Sequence, residues 1–460
     1  MKVEQIYTGC IAHAAYYIES NGEAAVFDPL REVNPYIERA EKDNAQIKYV
    51  FETHFHADFV SGHLDLRERT GAQIVFGPTA QPGYDALIAK DEQVFELGDY
   101  KIKVIHTPGH TMESTTYLLI DQDGKEHGII TGDTLFIGDV GRPDLAAKSN
   151  LTKEDLAGHL YDSLHNRIMP LSDDIIVYPA HGAGSACGKN MSSQTSDTLG
   201  NQKETNYAFK LSKADFIKEL ITGLQAPPSY FPENVAMNKR VNIDFDTIIK
   251  RGTTPLSVEE FETIASQDDV LILDTRAIFA FAKASLPHAW FIGLSGQFAP
   301  WVGSVVQDIN QKIIFIAEEG KEEEVATRLS RVGYDHSLGY LKGGVEAWVA
   351  AGKETVAIQE VTAQEFVDGI TNGSITNPLD VRKPGEYATS HIDGVSHASL
   401  DEVHTNSKNL DPSKTYHIHC AGGYRSLIYA SIARSQGIDN VVNVLGGYGA
   451  IKKTELGQLK

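Results

Sequence analysis

Short apolar runs separated by polar, glycine-bearing turns recur through roughly the first 190 residues: Ala24–Phe27, Ile47–Phe51, Lys101–Ile105, Ile129–Thr131 and Ile175–Tyr178. Runs this short, rich in β-branched and aromatic residues, predict strands. A polar group follows each of them in turn: Asp28, His54, His106 with His110, Asp133 and His181. Polar groups at strand ends, on loops along one edge of a sheet, are how α/β and α+β enzymes assemble sites. From Met191 to about Arg251 the pattern shifts to Ser, Thr, Asn and Gln. Helical stretches are predicted there around Ala214–Thr222 and Pro232–Arg240, parted by Pro227-Pro228. The region reads as helices appended to a first domain, then a linker.

The remainder repeats itself. Ser257-Val-Glu-Glu260-Phe261 matches Thr362-Ala-Gln-Glu365-Phe366 at an offset of 105 (365 − 260). Both are capping boxes, in which a hydroxyl and a carboxylate satisfy the free amides of a helix start. Leu273-Asp274-Thr275-Arg276 matches Leu379-Asp380-Val381-Arg382 at 106, Ala326 matches Ala430 at 104, and Gly343-Gly344 matches Gly446-Gly447 at 103. The chain is therefore expected to hold a large domain over 1–251 and two homologous domains over 252–356 and 357–460, an α/β and α+β multidomain architecture.

Composition narrows the function. A length of 460 residues suits about three domains. The formal net charge of −21 argues against nucleic acid and anionic membrane as partners, because both need a basic face. Hydrophobic residues at 42% and charged residues at 22% are globular values rather than disordered ones. Three cysteines exclude a disulfide scaffold and fit a reducing compartment. Met1–Ser20 lacks the apolar core of a leader, and no apolar run is long enough to span a bilayer, so a cytoplasmic location is expected.

Four segments carry the first chemistry: Thr53-His54-Phe55-His56-Ala57-Asp58-Phe59, His106-Thr-Pro-Gly-His110, Thr131-Gly-Asp133-Thr134 and Pro179-Ala-His181-Gly182. One histidine at a strand end is as readily a hydrogen-bonded structural residue, but four such segments point to a metal. Imidazole and carboxylate suit zinc or non-haem iron, and two histidines with one carboxylate suit a facial iron site with open positions. Together the segments resemble the metallo-β-lactamase fold over about residues 1–190, which implies an αββα sandwich. The signature T-H-x-H-x-D-H of that family ends in a histidine where this chain has Phe59. Hydrolases of the fold, such as glyoxalase II, use that histidine with the residues matched by Asp58 and His181 to hold a second metal. Phe59 cannot donate to one, which turns the reading toward a mononuclear site. Among mononuclear members the chain resembles the persulfide dioxygenases. That resemblance implies Fe(II), one per chain, on His54, His110 and Asp133, with zinc as the alternative ion. His56, Asp58 and His181 are then groups that orient the ligands or hold water, or further metal ligands. Zinc has no redox chemistry, so dioxygenation requires iron. Arg142, in Gly141-Arg-Pro-Asp144, is either a solvated residue of a turn or a contact to an anionic substrate carrier.

In the last domain a strand candidate, Thr415–His419, leads into Cys420-Ala421-Gly422-Gly423-Tyr424-Arg425-Ser426 and a helical pattern over Leu427–Ala433. A cysteine opening such a loop faces backbone N–H groups and the positive end of a helix, which favours thiolate and persulfide anions, and Arg425 adds a cation. A buried structural cysteine is the other reading of a lone thiol. With Asp380-Val-Arg382 upstream and Gly446-Gly447 downstream, the domain resembles rhodanese, a sulfurtransferase. The resemblance puts the catalytic cysteine on Cys420 and the closing arginine on Arg425. Ala421, Gly422, Gly423, Tyr424 and Ser426 become the persulfide-binding loop. In the other copy an offset of 104 sets Ile316 against Cys420, without sulfur, and Glu318, Glu319, Glu322 and Glu323 would repel an anion. The middle domain is expected to be an inactive rhodanese-like spacer or docking element.

Cys187, six residues after His181 and flanked by small residues, reads either as an ordinary thiol or as a persulfide acceptor near the metal; Cys10 reads as a core residue. The whole is similar to bacterial persulfide dioxygenase–sulfurtransferase fusions. This implies oxidation of a small thiol persulfide by O2 to sulfite, then transfer of sulfane sulfur to sulfite to give thiosulfate. The rivals are a glyoxalase-II-like zinc thioester hydrolase and a non-catalytic persulfide carrier or sensor. A homo-oligomer is expected.

Overall fold

Each predicted strand forms in the computed structural model, which describes residues 2–147, 150–224 and 226–454. The first sheet runs in chain order: β1 (Lys2–Thr8), β2 (His13–Ser20), β3 (Glu23–Phe27), β4 (Gln46–Glu52), β5 (Gln73–Phe76) and β6 (Leu87–Ile88). The second contains β7 (Val94–Leu97), β8 (Tyr100–His106), β9 (Thr115–Ile120), β10 (Glu126–Gly132), β11 (Ile176–Pro179) and β12 (Asp197–Thr198), also adjacent in sequence order. Apolar side chains alternate between the faces of these strands. Tyr16, Phe27 and Phe51 of the first sheet and Ile102, Val104, Tyr117 and Ile130 of the second share the core between the sheets. The other face of the first sheet takes Tyr36 and Leu66 from helices. That of the second takes Ala157 and Leu160 from the helix Lys153–Ser163, with Phe216 and Leu220. Helix, sheet, sheet, helix is the αββα sandwich.

The topology explains why the polar groups converge. β8 and β10 are each antiparallel to β9, and β11 is parallel to β10, so all three end at one edge of their sheet. Two core tyrosines pin the strand ends. Tyr117 donates to the Glu52 carbonyl at the end of β4 (2.9 Å), and Tyr16 donates to the Pro179 carbonyl at the end of β11 (2.6 Å). The appended helices form at Lys213–Ile221, capped by Ser212, and at Phe231–Asn238. Cys10 departs from its expected place: it is half-buried in the turn between β1 and β2 rather than in the core.

The chain divides into two compact units, residues 1–245 with 330–333 and residues 246–329 with 334–460. The break at Phe245 precedes the 251/252 boundary drawn from the sequence, because the helix Phe245–Gly252 packs with the second unit. Arg251 there donates to the Ser337 carbonyl (3.2 Å).

Within the second unit the repeat is explicit. β13 (Pro255–Leu256), β14 (Val270–Asp274), β15 (Trp290–Phe291), β16 (Lys312–Ile316) and β17 (Ser337–Leu341) form a parallel sheet in the order β13-β17-β16-β14-β15. β18 (Gln359–Val361), β19 (Pro378–Asp380), β20 (Ser396–His397), β21 (Tyr416–His419) and β22 (Val441–Val444) adopt the same order, β18-β22-β21-β19-β20. Both capping boxes are made, at Ser257–Glu260 and Thr362–Glu365. Arg276 pairs with Asp274 and Arg382 with Asp380 in the same way, at 2.7 and 2.6 Å. One alignment changes. Asp274 pairs with Ile316, and Asp380 pairs with His419, so the residue matching Cys420 is Ala317 rather than Ile316. Methyl still replaces thiol, and Arg425 is matched by Glu322.

Candidate functional site

At the edge of the sandwich His54, His110 and Asp133 present ligand atoms within 4.8 Å of one another, all buried. His54 Nε2 and His110 Nε2 lie 3.8 and 3.4 Å from Asp133 Oδ2. Each ring is oriented from behind. Thr53 Oγ1 lies 2.9 Å from His54 Nδ1, and the Arg142 carbonyl lies 2.8 Å from His110 Nδ1. Occupying one ring nitrogen aims the other into the site. Burial, then the neighbouring imidazoles of His56, His110 and His181, hold His54 well below its ordinary value, so its ring is neutral and its lone pair available.

His56, Asp58 and His181 form an adjoining group, again within 4.8 Å. His56 Nε2 lies 3.0 Å from Asp28 Oδ1 and 3.6 Å from Glu52 Oε2, and neither ring nitrogen makes a hydrogen bond. His181 Nδ1 is held by the Ala12 carbonyl (3.1 Å), and His181 Nε2 faces Asp58 (3.4 Å) and Asp133 Oδ1 (3.5 Å). Burial lifts the Asp58 carboxyl; burial also works against a charged His181, but Asp58 and Asp133 outweigh it and raise the imidazole. Phe59 is fully buried, with its ring centroid 4.2 Å from that of His13 and 4.3 Å from that of His56. It walls the site on that side.

The fit to a cation is visible in what lacks a partner. Both oxygens of Asp133, both of Asp58 and Nε2 of His181 are buried with no hydrogen bond. Leaving such groups unpaired costs several kcal/mol each, at roughly 1–3 kcal/mol for a neutral polar group and more for a charge. A divalent metal on this donor set removes the cost, and the set suits iron or zinc.

Arg142 departs from its solvated reading, whereas Cys187 lies beside the candidate metal cluster, as one of its two readings has it. Arg142 is neither solvated nor free: its guanidinium grips Asp144 at 2.7 and 2.6 Å, and what it brings to the site is its carbonyl on His110. Cys187 is buried within ligand distance of Asp133 and His181. Burial, then the Asp58 and Asp133 carboxylates, push its thiol well above the ordinary range. Sequence reasoning missed Glu52, His63 and Asn238. Glu52 is buried beside His56 and His63, and burial with Asp28 raises its carboxyl well above the usual range. Its signal was available, since it ends an apolar run as Asp28 does.

In the last domain Cys420 follows β21 directly and is buried. The Gly423 N–H donates to its sulfur at 3.1 Å, and the Ser426 hydroxyl lies 3.6 Å away. Gly423 takes φ +97 to start the helix Tyr424–Ser435. Behind the loop, the Tyr448 N–H donates to the Cys420 carbonyl (2.6 Å), and a Cβ on Gly447 would come within 2.4 Å of that oxygen. Arg425 forms a two-pronged pair with Glu386 at 2.5 and 2.8 Å. The Tyr424 hydroxyl donates to the Gly293 carbonyl of the middle domain (2.9 Å), and the Ser431 hydroxyl accepts from the Phe291 N–H (2.9 Å). The sulfurless copy thus braces the helix behind the thiol.

Comparison with known proteins agrees with this geometry. The model of the metallo-beta-lactamase superfamily matches residues 8–181, and that of the rhodanese-like domain matches residues 257–351 and 362–454. A crystal structure of a metallo-beta-lactamase from Staphylococcus aureus is 30% identical with a TM-score of 0.67, covering 74% of this chain and 98% of that one. A probable hydroxyacylglutathione hydrolase of Schizosaccharomyces pombe is 28% identical over 38% of this chain, which spans 66% of that protein's length. The mitochondrial persulfide dioxygenase ETHE1 of Homo sapiens is 28% identical over 49% of this chain and 82% of its own length. The chain belongs to the metallo-β-lactamase superfamily, in a form that continues into two rhodanese-like domains.

Proposed function

We propose that the first domain oxidises a small thiol persulfide with O2 to sulfite, and that Cys420 passes sulfane sulfur to sulfite to give thiosulfate. The observation that carries this reading is a two-histidine, one-carboxylate site walled by Phe59 on the same chain as a rhodanese-like thiol cradle. Similarity to a persulfide dioxygenase supports it. Atoms balance: RSSH, O2 and H2O give RSH, sulfite and two protons. The persulfide RSSH then hands its outer sulfur to the Cys420 thiolate, releasing RSH, and sulfite removes that sulfur as thiosulfate. The role is disposal of sulfide-derived sulfur, in the cytoplasm.

His54, His110 and Asp133 would hold Fe(II), whose open coordination positions and redox change serve the first reaction when it is bound. Thr53 and the Arg142 carbonyl keep the two rings aimed, and Phe59 excludes water from one wall. At the second site the Gly423 amide and the Ser426 hydroxyl face the sulfur, and Arg425, held by Glu386, supplies a cation for sulfite.

Anaerobically purified protein loaded with Fe(II) and given glutathione persulfide tests the scheme. Uptake of O2 is expected, abolished by His110→Ala. Cys420→Ser should keep O2 uptake and shift the product from thiosulfate to sulfite; thiosulfate at the normal rate from that variant would refute the two-stage scheme. The hydroxyacylglutathione hydrolase relatives favour a thioester hydrolase instead. Cleavage of a glutathione thioester without O2 uptake would establish that reading.

A further inference from the structure

Behind the Cys420 sulfur a row of polar side chains runs out to the edge of its sheet. The Ser426 hydroxyl, 3.6 Å from the sulfur, has one proton and two closer acceptors, Asn443 Oδ1 at 2.7 Å and the Gly423 carbonyl at 3.0 Å. Asn443 Nδ2 in turn donates to Glu360 Oε1 (3.0 Å). Ser426 and Asn443 are fully buried, whereas Glu360 is half-buried on the edge strand β18, directly beside Asn443 in the register. The carboxylate decides which way the amide points: a flipped Asn443 would set its own oxygen against Glu360, so Oδ1 faces Ser426. The row is therefore polarised away from the sulfur, with the Ser426 proton on Asn443 and a hydroxyl lone pair left toward Cys420.

The sulfurless copy shows the row to be separable from the fold. Strand pairing sets Pro255 beside Tyr340 as Glu360 stands beside Asn443, and the offset of 103 that matches Ala317 to Cys420 matches Glu323 to Ser426. Thiol, hydroxyl, amide and carboxylate are replaced together, by Ala317, Glu323, Tyr340 and Pro255, in a domain that keeps its Asp–Arg pair and its paired glycines. The frame stayed, and the row left with the sulfur.

We propose that Glu360 and Asn443 are positioning residues for sulfur transfer, which act through Ser426 to restrain the Cys420 thiol. In the empty loop the S–H donates to the Ser426 oxygen. When the thiol ionises, its proton leaves to solvent, and the thiolate needs a donor that Ser426 can supply only by giving up Asn443 Oδ1. Glu360, by locking the amide, makes that exchange costly. It keeps the empty loop less reactive toward stray electrophiles than its backbone cradle alone would make it. The other charged groups round the thiol, Arg425 with its partner Glu386 and, beside His419, the Asp380–Arg382 pair, lie outside the row. The inference rests on Cys420 as the sulfur-carrying thiol of the proposed reaction.

The test uses the full chain carrying Cys10→Ser and Cys187→Ser, so that Cys420 is its only thiol, and follows alkylation by iodoacetamide as a function of pH. Glu360→Gln, near-isosteric on an edge strand, removes the charge and offers an amide donor to Asn443 Oδ1. The row can then reverse and turn the Ser426 proton onto the sulfur. Alkylation at neutral pH is expected to quicken by about threefold or more, with the midpoint of the pH profile lower by about half a unit. In a chain that also carries Ser426→Ala, Glu360→Gln should change nothing, because the link to the sulfur is gone; a charge acting through space would still quicken the reaction there. An unchanged or slower rate in Glu360→Gln, or the same gain with Ser426→Ala, would overturn the proposal. The sulfur-carrying reading fails separately, if glutathione persulfide leaves no sulfur on Cys420 by mass spectrometry, and the alkylation rates do not depend on it.

Discussion

At Gly141 the first site leaves no room for a methyl group. A Cβ there would lie 2.1 Å from the Asp133 carbonyl and 3.0 Å from His110 Nδ1, pressing on two of the three candidate ligands at once. Gly141→Ala should therefore leave the sandwich folded and displace His110 from the Arg142 carbonyl. Because partners behind a ligand tune metal affinity by about 10–100-fold, divalent metal binding is expected to weaken by about tenfold or more. Competition against a chromogenic chelator measures it, and unchanged affinity would show that the ring is aimed by other contacts. Gly141 was visible in the sequence only as part of a turn with Arg142. The cluster of His54, His110 and Asp133 was legible because strand-end position leaves a local trace. The close approach of a glycine to two ligands depends on folding distant segments together, and leaves none.

The same limit holds for the element that straps the loop carrying His54, His56 and Asp58. The helix Phe231–Asn238 was expected from the pattern over Pro232–Arg240, but its task was not. Its last residue, Asn238, donates to the carbonyls of His56 and Phe59 (2.8 Å each) and accepts from the Ser61 N–H (2.8 Å), all buried. One amide thus satisfies three backbone groups of the segment that follows β4, which otherwise has no ladder to join. An asparagine in a polar stretch carries no periodic signal, so only the fold reveals it. Asn238→Ala leaves those groups unpaired inside the protein, at a cost of about 2–3 kcal/mol. Lower denaturant resistance of the first unit is expected, together with weaker metal binding, since His54 and His56 lie on the loosened segment. Stability within about 0.5 kcal/mol of the parent would mean that water replaces the amide.

Across the whole chain, two copies of one fold have parted in chemistry while keeping their frame. The sequence anchors drift from 106 to 103, and a value of 104 for the loop places the match to Cys420 one residue early. Strand pairing resolves it: Asp380 to His419 spans three residues fewer (419 − 380 = 39) than Asp274 to Ile316 (316 − 274 = 42), which puts the offset at 103 where the loop begins. The sulfurless loop still keeps its left-handed glycine, Gly320 at φ +80 against Gly423 at φ +97, and its own Asp–Arg pair. The cradle survived, and the thiol and its cation were exchanged for Ala317 and Glu322. If charge is what silences this copy, restoring the sulfur alone should give a poor nucleophile, because Glu318, Glu319 and Glu322 disfavour the thiolate. In a chain carrying Cys10→Ser, Cys187→Ser and Cys420→Ser, the thiol introduced by Ala317→Cys should react slowly with iodoacetamide at neutral pH. Adding Glu322→Arg converts a repulsive neighbour into an attractive one, and a shift of about one pKa unit, near 1.4 kcal/mol, corresponds to about tenfold more thiolate. Faster alkylation in the double change is the expected outcome. Equal rates would mean that the loop's backbone, rather than its carboxylates, sets the reactivity of a thiol at this position.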